Sequence, residues 1–162
     1  MTINKKIVSL KKIVSIVANL KRNNKKIVTT NGVFDILHLG HVKYLENAKK
    51  LGDVLIVGVN TDSSVKQLKG INRPINGQES RIGVLASLES IDYVFLFNEG
   101  DPREWLSKIK PSIHVKAGDY KINQIIEKQI VEENGGKIVI VKMLEGHSTT
   151  GLINKIVKTY SS

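Results

Sequence analysis

The sequence predicts an α/β fold, a five-stranded parallel sheet with helices on both faces. Three observations lead there. Short apolar runs alternate with longer stretches of helical periodicity, the order expected of strands joined by crossover helices. The runs are apolar throughout rather than alternating, which suits strands buried on both faces. Polar or glycine-rich turns follow four of them, on the edge of a parallel sheet where ligands bind.

Each element has its own reason. Residues 4 to 22 read as one amphipathic helix, because Ile7, Leu10, Val14 and Val17 recur at spacings of three and four. Its apolar face is expected to pack on the domain or on a second subunit. Lys26 to Thr30 is the first strand, Asn31 to Asp35 the turn after it, and Leu39 to Leu51 a helix stopped at Gly52. Val54 to Val59 is the second strand, followed by the polar turn Asn60 to Asp62 and a lysine-bearing segment that runs to Gly70. Ser80 to Ser90 is a helix, Tyr93 to Phe97 the third strand and Pro102 to Ile109 the next helix. Ile113 to Val115 is the fourth strand and leads into Ala117 to Tyr120. Ile122 to Glu133 is a helix stopped at Gly135 and Gly136, Lys137 to Val141 the fifth strand, and Thr150 to Thr159 the last helix, entered through Gly146 to Thr150. Residues 1–22 are therefore expected to be a leader helix and residues 23–162 one domain.

Composition narrows the classes. At 162 residues the chain suffices for one domain with a real core, and 41% hydrophobic content with only 5% aromatics fits an aliphatic α/β protein. There are no cysteines, which excludes disulfides, thiolate catalysis and cysteine-held zinc, and suits a reducing cytoplasm. The net charge is +10, but the lysines are scattered in pairs such as Lys5-Lys6, Lys25-Lys26 and Lys49-Lys50. That describes a solvated basic surface that attracts nucleotides and sugar phosphates, with no nucleic-acid partner expected. No run approaches the ~20 apolar residues of a membrane span.

The most informative segment is Asn31-Gly32-Val33-Phe34-Asp35-Ile36-Leu37-His38-Leu39-Gly40-His41, which joins a strand to a helix. His38 and His41, three residues apart, share one helix face at its N-terminal end. That end offers unpaired N–H groups and partial positive charge, both suited to phosphate. The segment resembles the HxGH signature of the cytidylyltransferase-like nucleotidyltransferase superfamily, and Gly32-Val33-Phe34-Asp35 fits the same pattern. The resemblance implies a Rossmann-like nucleotidyltransferase fold. It also implies that the two histidines stabilise a pentacovalent α-phosphate while pyrophosphate leaves, and that Gly40 lets the nucleotide approach the backbone. Asp35 is read as substrate-binding, with a plain turn residue as its alternative.

Supporting segments carry the same likeness. Related transferases place a phosphate-neutralising lysine where Lys66 and Lys69 stand, and Lys69, beside Gly70, is favoured as catalytic. Arg81 matches an arginine directed at the phosphates; its alternative is an ion pair with Glu79. Val115-Lys116-Ala117-Gly118-Asp119-Tyr120 resembles the superfamily's KGGDY segment, with Ala117 replacing a glycine. It assigns Gly118 and Asp119 to the nucleotide and Lys116 and Tyr120 to the other substrate, against a plain Gly-Asp turn. Glu145-Gly146-His147-Ser148-Thr149-Thr150 resembles the EGxSTT segment, so Ser148 and Thr149 are expected on the nucleotide phosphates or as helix caps. Asn31, Gly32, Val33, Phe34, Asn60 and Asp62 complete the expected nucleotide site; His147 is assigned no catalysis.

Across nearly the whole chain the motifs look most like the adenylyltransferases of ADP-heptose synthesis, in stand-alone form because no kinase half is present. The resemblance implies transfer of AMP from ATP to D-glycero-β-D-manno-heptose 1-phosphate, Mg²⁺ accompanying the ATP, and a cytoplasmic homodimer serving surface-polysaccharide synthesis. No dedicated metal cage is legible. Glycerol-3-phosphate cytidylyltransferases are the rival, but they carry an arginine where Met143-Leu144 stands here. Another sugar-phosphate transferase, or a nucleotide-binding module without turnover, is the remaining alternative.

Overall fold

The structure is a computed structural model that describes residues 2–118 and 121–161. The chain begins with a short helix, α1 (Ile3–Lys6), and a second, α2 (Leu10–Arg22), capped by the Ser9 hydroxyl accepting from Lys12 N–H at 3.2 Å. The single helix expected over residues 4 to 22 is thus broken. Ile7 leaves it to form a parallel bridge with Val94, and Val8 N–H donates to the Val94 carbonyl at 3.0 Å. A sheet edge has competed successfully with the helix, since an unpaired edge offers the same backbone partners.

The alternation that follows builds the sheet. Strand β1 (Ile27–Gly32) leads to α3 (Leu39–Lys49) and β2 (Val54–Asn60). Next come α4 (Asp62–Lys69), α5 (Gln78–Ser87), β3 (Tyr93–Phe97), α6 (Arg103–Ile109) and β4 (Ile113–Ala117). A 3₁₀ turn at Ile122–Gln124, α7 (Lys128–Glu133), β5 (Lys137–Val141) and α8 (Thr149–Tyr160) complete it. Helix α4 was not foreseen: its sequence is polar, and Thr61 starts it by accepting from Ser64 N–H. The helix expected over residues 122 to 133 is split instead, with Ile125 buried in extended conformation between the two pieces.

All strands are parallel in the order β3-β2-β1-β4-β5. The order reverses at β1, so β1 and β4 flank the crevice where such sheets bind ligands. Two apolar layers cover the sheet. Tyr44, Leu45 and Ala48 of α3 pack with Ile82, Leu85 and Ala86 of α5 over Val57 and Val59. Ile13 and Val17 of α2 pack with Trp105, Leu106 and Ile109 of α6 over Ile27 and Ile56 on the other face. The leader helix therefore packs against this same sheet, and its deepest residue is Ile13 rather than Leu10 or Val14.

Polar groups on the central strands are buried in pairs. Thr30 shares a 2.6 Å hydrogen bond with the Tyr44 hydroxyl, which donates onward to the Val115 carbonyl at 3.0 Å, tying α3 across β1 and β4. On the opposite face Thr29 meets His114 Nδ1 at 2.9 Å beside the Trp105 ring. Burial, then the charge of Lys116, pull His114 down to about 3, so this imidazole is neutral and structural.

Candidate active site

The end of β1 sets the first wall of the site. The strand continues through Asn31 and Gly32, two residues further than expected, pairing with β2 as far as Val59. Phe34 then turns the chain with φ +48°, a left-handed conformation that costs a non-glycine residue about 1 kcal/mol. Its ring folds back over Gly32, where an added Cβ would lie 3.0 Å from the ring. The same ring meets His41 edge-on at 5.4 Å between centroids.

His38 occupies the N-cap position of α3 but makes no capping hydrogen bond, and His41 lies in the first turn. Their rings stack with centroids 3.9 Å apart and planes inclined by 26°. Both Nδ1 atoms are buried without a hydrogen-bond partner. Unpaired buried polar atoms are costly, and a helix N-terminus suits an anionic group. Burial and then the neighbouring His38 pull His41 down to about 4. Burial and then His147 lower His38. Both imidazoles are therefore neutral hydrogen-bonding groups near pH 7. Gly40, between them, is buried; an added Cβ would sit 3.0 Å from both His38 Nδ1 and the Cβ of His147.

Several charged residues expected on the substrates hold the site together instead. Arg81 is 2% exposed and donates to the carbonyls of Asn76, Val33 and Asn60 at 3.0, 2.6 and 2.7 Å, and to the Asp62 carboxylate at 2.8 Å. Neither a free guanidinium aimed at phosphate nor the alternative pair with Glu79 is what forms. Four acceptors converging on one buried residue make a stronger claim on it. Asn60 and Asp62 are likewise occupied, Asn60 donating from its side chain to Ser64 Oγ at 3.0 Å. Asp35 is 3% exposed and accepts from Arg73 Nε at 2.6 Å and from the Ile75 and Asn76 backbone N–H groups at 2.8 Å. Burial alone would raise the Asp35 carboxyl, but those two N–H groups and the guanidinium outweigh it and hold it below the ordinary range. Asp35 thus anchors the loop after α4.

Two cavities open at the same sheet edge. One of ≈280 Å³ is lined by Asn31, Lys116 and Glu127, among others, with the Lys116 ammonium 2.5 Å from Glu127. The Asn31 side-chain oxygen there is buried and unpaired. The other, ≈510 Å³, runs from Gly118 along residues 142–148. Gly118 has φ +116°, a conformation that favours glycine. Ser148 caps α8, accepting from Gly151 N–H at 3.0 Å, and Thr149 opens the helix. Lys66 and Lys69 both stand exposed in the last turn of α4. Asp119 and Tyr120 lie outside the described residues. His147, left out of the expected site, has its ring 6.3 Å from that of His38. Only its position in the EGxSTT-like turn could have signalled this, because the contact is made across the fold.

The described residues contain no cluster of three or more His, Asp or Glu side chains able to cage a metal ion. Asp35 and Asp62 are each held by an arginine. These side chains do not fit a protein-held cation.

Comparison with known proteins finds relatives over most of the chain. A family model described as cytidylyltransferase-like matches residues 29–157. Over 155 residues the chain is 43% identical to the bifunctional protein HldE of Geobacter sulfurreducens, covering 96% of this chain and 32% of that protein. It is 50% identical to the bifunctional protein HldE of Aliarcobacter butzleri, covering 94% of this chain and 31% of that one. The chain thus spans about a third of the length of the curated relatives it matches. Among solved structures, the lipopolysaccharide core biosynthesis protein from Thermoplasma volcanium superposes with a TM-score of 0.63 at 34% identity, covering 76% of this chain and 99% of that one. Pantoate-beta-alanine ligase from Francisella tularensis, complexed with beta-gamma ATP and beta-alanine, shares the fold at 20% identity and a TM-score of 0.59, covering 96% of this chain and 79% of that one.

Proposed function

Because the chain belongs to the cytidylyltransferase-like family, we propose that it transfers AMP from ATP to D-glycero-β-D-manno-heptose 1-phosphate, releasing pyrophosphate and forming ADP-heptose. The observation that carries the reading is the stacked, unpartnered pair His38 and His41 beside the switch point of a parallel sheet. The choice of acceptor is supported by identities of 43 to 52% with HldE proteins over most of this chain. Met143 and Leu144 on the wall of the larger cavity, in place of an arginine, favour ATP over CTP.

The chemistry is an in-line displacement. A phosphate oxygen of the sugar 1-phosphate attacks the α-phosphorus of ATP, the bond to the bridging oxygen breaks, and its electron pair leaves on pyrophosphate. Neutral His38 and His41 donate hydrogen bonds to the α-phosphate oxygens as charge builds there, an arrangement that needs no covalent intermediate. Lys69, from the end of α4, neutralises phosphate charge. Lys116 binds the acceptor from the smaller cavity, while Asn31, Gly118, Ser148 and Thr149 border the nucleotide. Arg81 fixes the relative position of these elements. Mg²⁺ arrives with ATP, whose triphosphate charge it screens. The reading assigns the enzyme to the cytoplasm, as a homodimer with twice the 18.0 kDa chain mass in light scattering, and its product to lipopolysaccharide or another surface polysaccharide.

Pyrophosphate release tests it, with ATP, CTP and GTP each paired with β- and α-heptose 1-phosphate and glycerol 3-phosphate. Release confined to ATP with the β-heptose phosphate is expected. Preference for CTP with glycerol 3-phosphate would overturn the assignment in favour of the rival transferase.

A further inference from the structure

We propose that His147 is a third catalytic imidazole of this site, one that delivers a proton to the departing pyrophosphate. The proposal rests on the nucleotidyl-transfer reading and adds a residue to it.

Displacement at the α-phosphorus puts an electron pair on the leaving pyrophosphate, and positive charge must meet it there. Lys69 meets phosphate charge from the end of α4, while four other charged or imidazole groups of the site are engaged elsewhere. His38 and His41 stack at 3.9 Å, so a proton on one repels a proton on the other, and burial disfavours both. Arg81 is held by four acceptors, and Lys116 is paired with Glu127.

His147 differs in each respect. It is exposed, so protons reach it from water. It stands at the end of the ≈510 Å³ cavity, with its ring 6.3 Å from that of His38. It also abuts the first turn of α3 so closely that an added Cβ on Gly40 would come within 3.0 Å of its own Cβ. Its Nδ1 lies 3.0 Å from the Glu145 carbonyl oxygen. A carbonyl only accepts, so Nδ1 carries the hydrogen and Nε2 is the nitrogen that takes up and gives away a proton.

The groups facing His147 are His38 from α3 and, around the cavity, Lys142 and Glu145. A bound polyphosphate brings several negative charges beside the ring. In the step itself the Nε2 proton passes to a pyrophosphate oxygen as the bond to the α-phosphorus breaks, and the neutral ring regains a proton from water.

Two measurements test this. In the wild-type protein, inorganic pyrophosphate added near neutral pH should move the His147 ring C–H resonances toward their imidazolium positions. In kinetics, His147→Gln should lower turnover by about 10²-fold and abolish the fall in rate at alkaline pH. His147→Lys should recover most of the turnover and carry the plateau to higher pH. Resonances unmoved at saturating pyrophosphate, failure of pyrophosphate to bind, or a wild-type pH profile in the Gln variant would each overturn the role. Pyrophosphate is released whichever nucleotide and acceptor react. A protein silent toward heptose phosphate but with His147 still responding therefore removes the substrate assignment and leaves this proposal standing.

Discussion

Arg81 and Asp62 form an ion pair at 2.8 Å that joins the first turn of α5 to the first residue of α4. The same guanidinium reaches the carbonyls that end β2 and follow β1. One buried side chain thus fixes the turn that presents the histidine-bearing segment relative to its neighbouring strand.

Arg81→Ala should therefore lose stability as well as turnover. Buried carbonyls left without donors cost about 1 to 3 kcal/mol each, so a total of at least ~3 kcal/mol is expected in urea unfolding. Glu79→Ala, at an exposed position, should change neither quantity. A fully stable Arg81→Ala with raised KM for ATP alone would return Arg81 to direct phosphate contact.

His41→Ala should stay folded, because the ring is half-buried and its Nδ1 has no protein partner to lose. Turnover should fall at least ~100-fold, the usual effect of deleting one preorganised donor to a transition state. Near-normal turnover with intact circular dichroism would dismiss the site assignment.

Asp35→Asn should loosen the loop at residues 73–76, since an amide offers one acceptor oxygen where the carboxylate now receives Arg73 and two backbone N–H groups. A cost of about 1 to 3 kcal/mol is expected. Faster amide exchange at Ile75 and Asn76 is the direct readout; unchanged protection there would contradict the anchoring role.

Acid should destabilise the protein through its histidines. The unfolded chain takes up protons as pH falls below about 6.5, while folded His41 and His114 stay neutral until about 4 and about 3. Stability supplied by the neutral rings is complete above pH ~6.5 and declines steadily as pH falls through that window. The melting temperature should follow that course, and His114→Gln should show a shallower decline. A melting temperature flat between those values would contradict the burial of both rings.

Much of this was legible because local rules carried it. The five apolar runs needed no partner to be read as buried parallel strands, and strands β2, β3 and β5 fall within a residue of their expected bounds. The HxGH spacing brings two imidazoles together at one helix N-terminus, although His38 stands at the N-cap in extended backbone and only His41 lies within the helix. The errors arose where a residue's role depends on something distant in sequence. Ile7 left its helix for Val94, Arg81 ignored Glu79 for acceptors on other elements, and His147 reached His38 across the fold.

Sequence by itself determined the class of fold and the chemical character of its central turn, because periodicity and short motifs are fixed by backbone geometry within a few residues. Tertiary structure decided which charged groups are free. Asp35, Asp62, Arg81 and Lys116 all look available for ligands in the sequence, yet each has a partner in the folded chain. Charge is a property of a residue; availability depends on which acceptors and donors burial brings within about 3 Å of it.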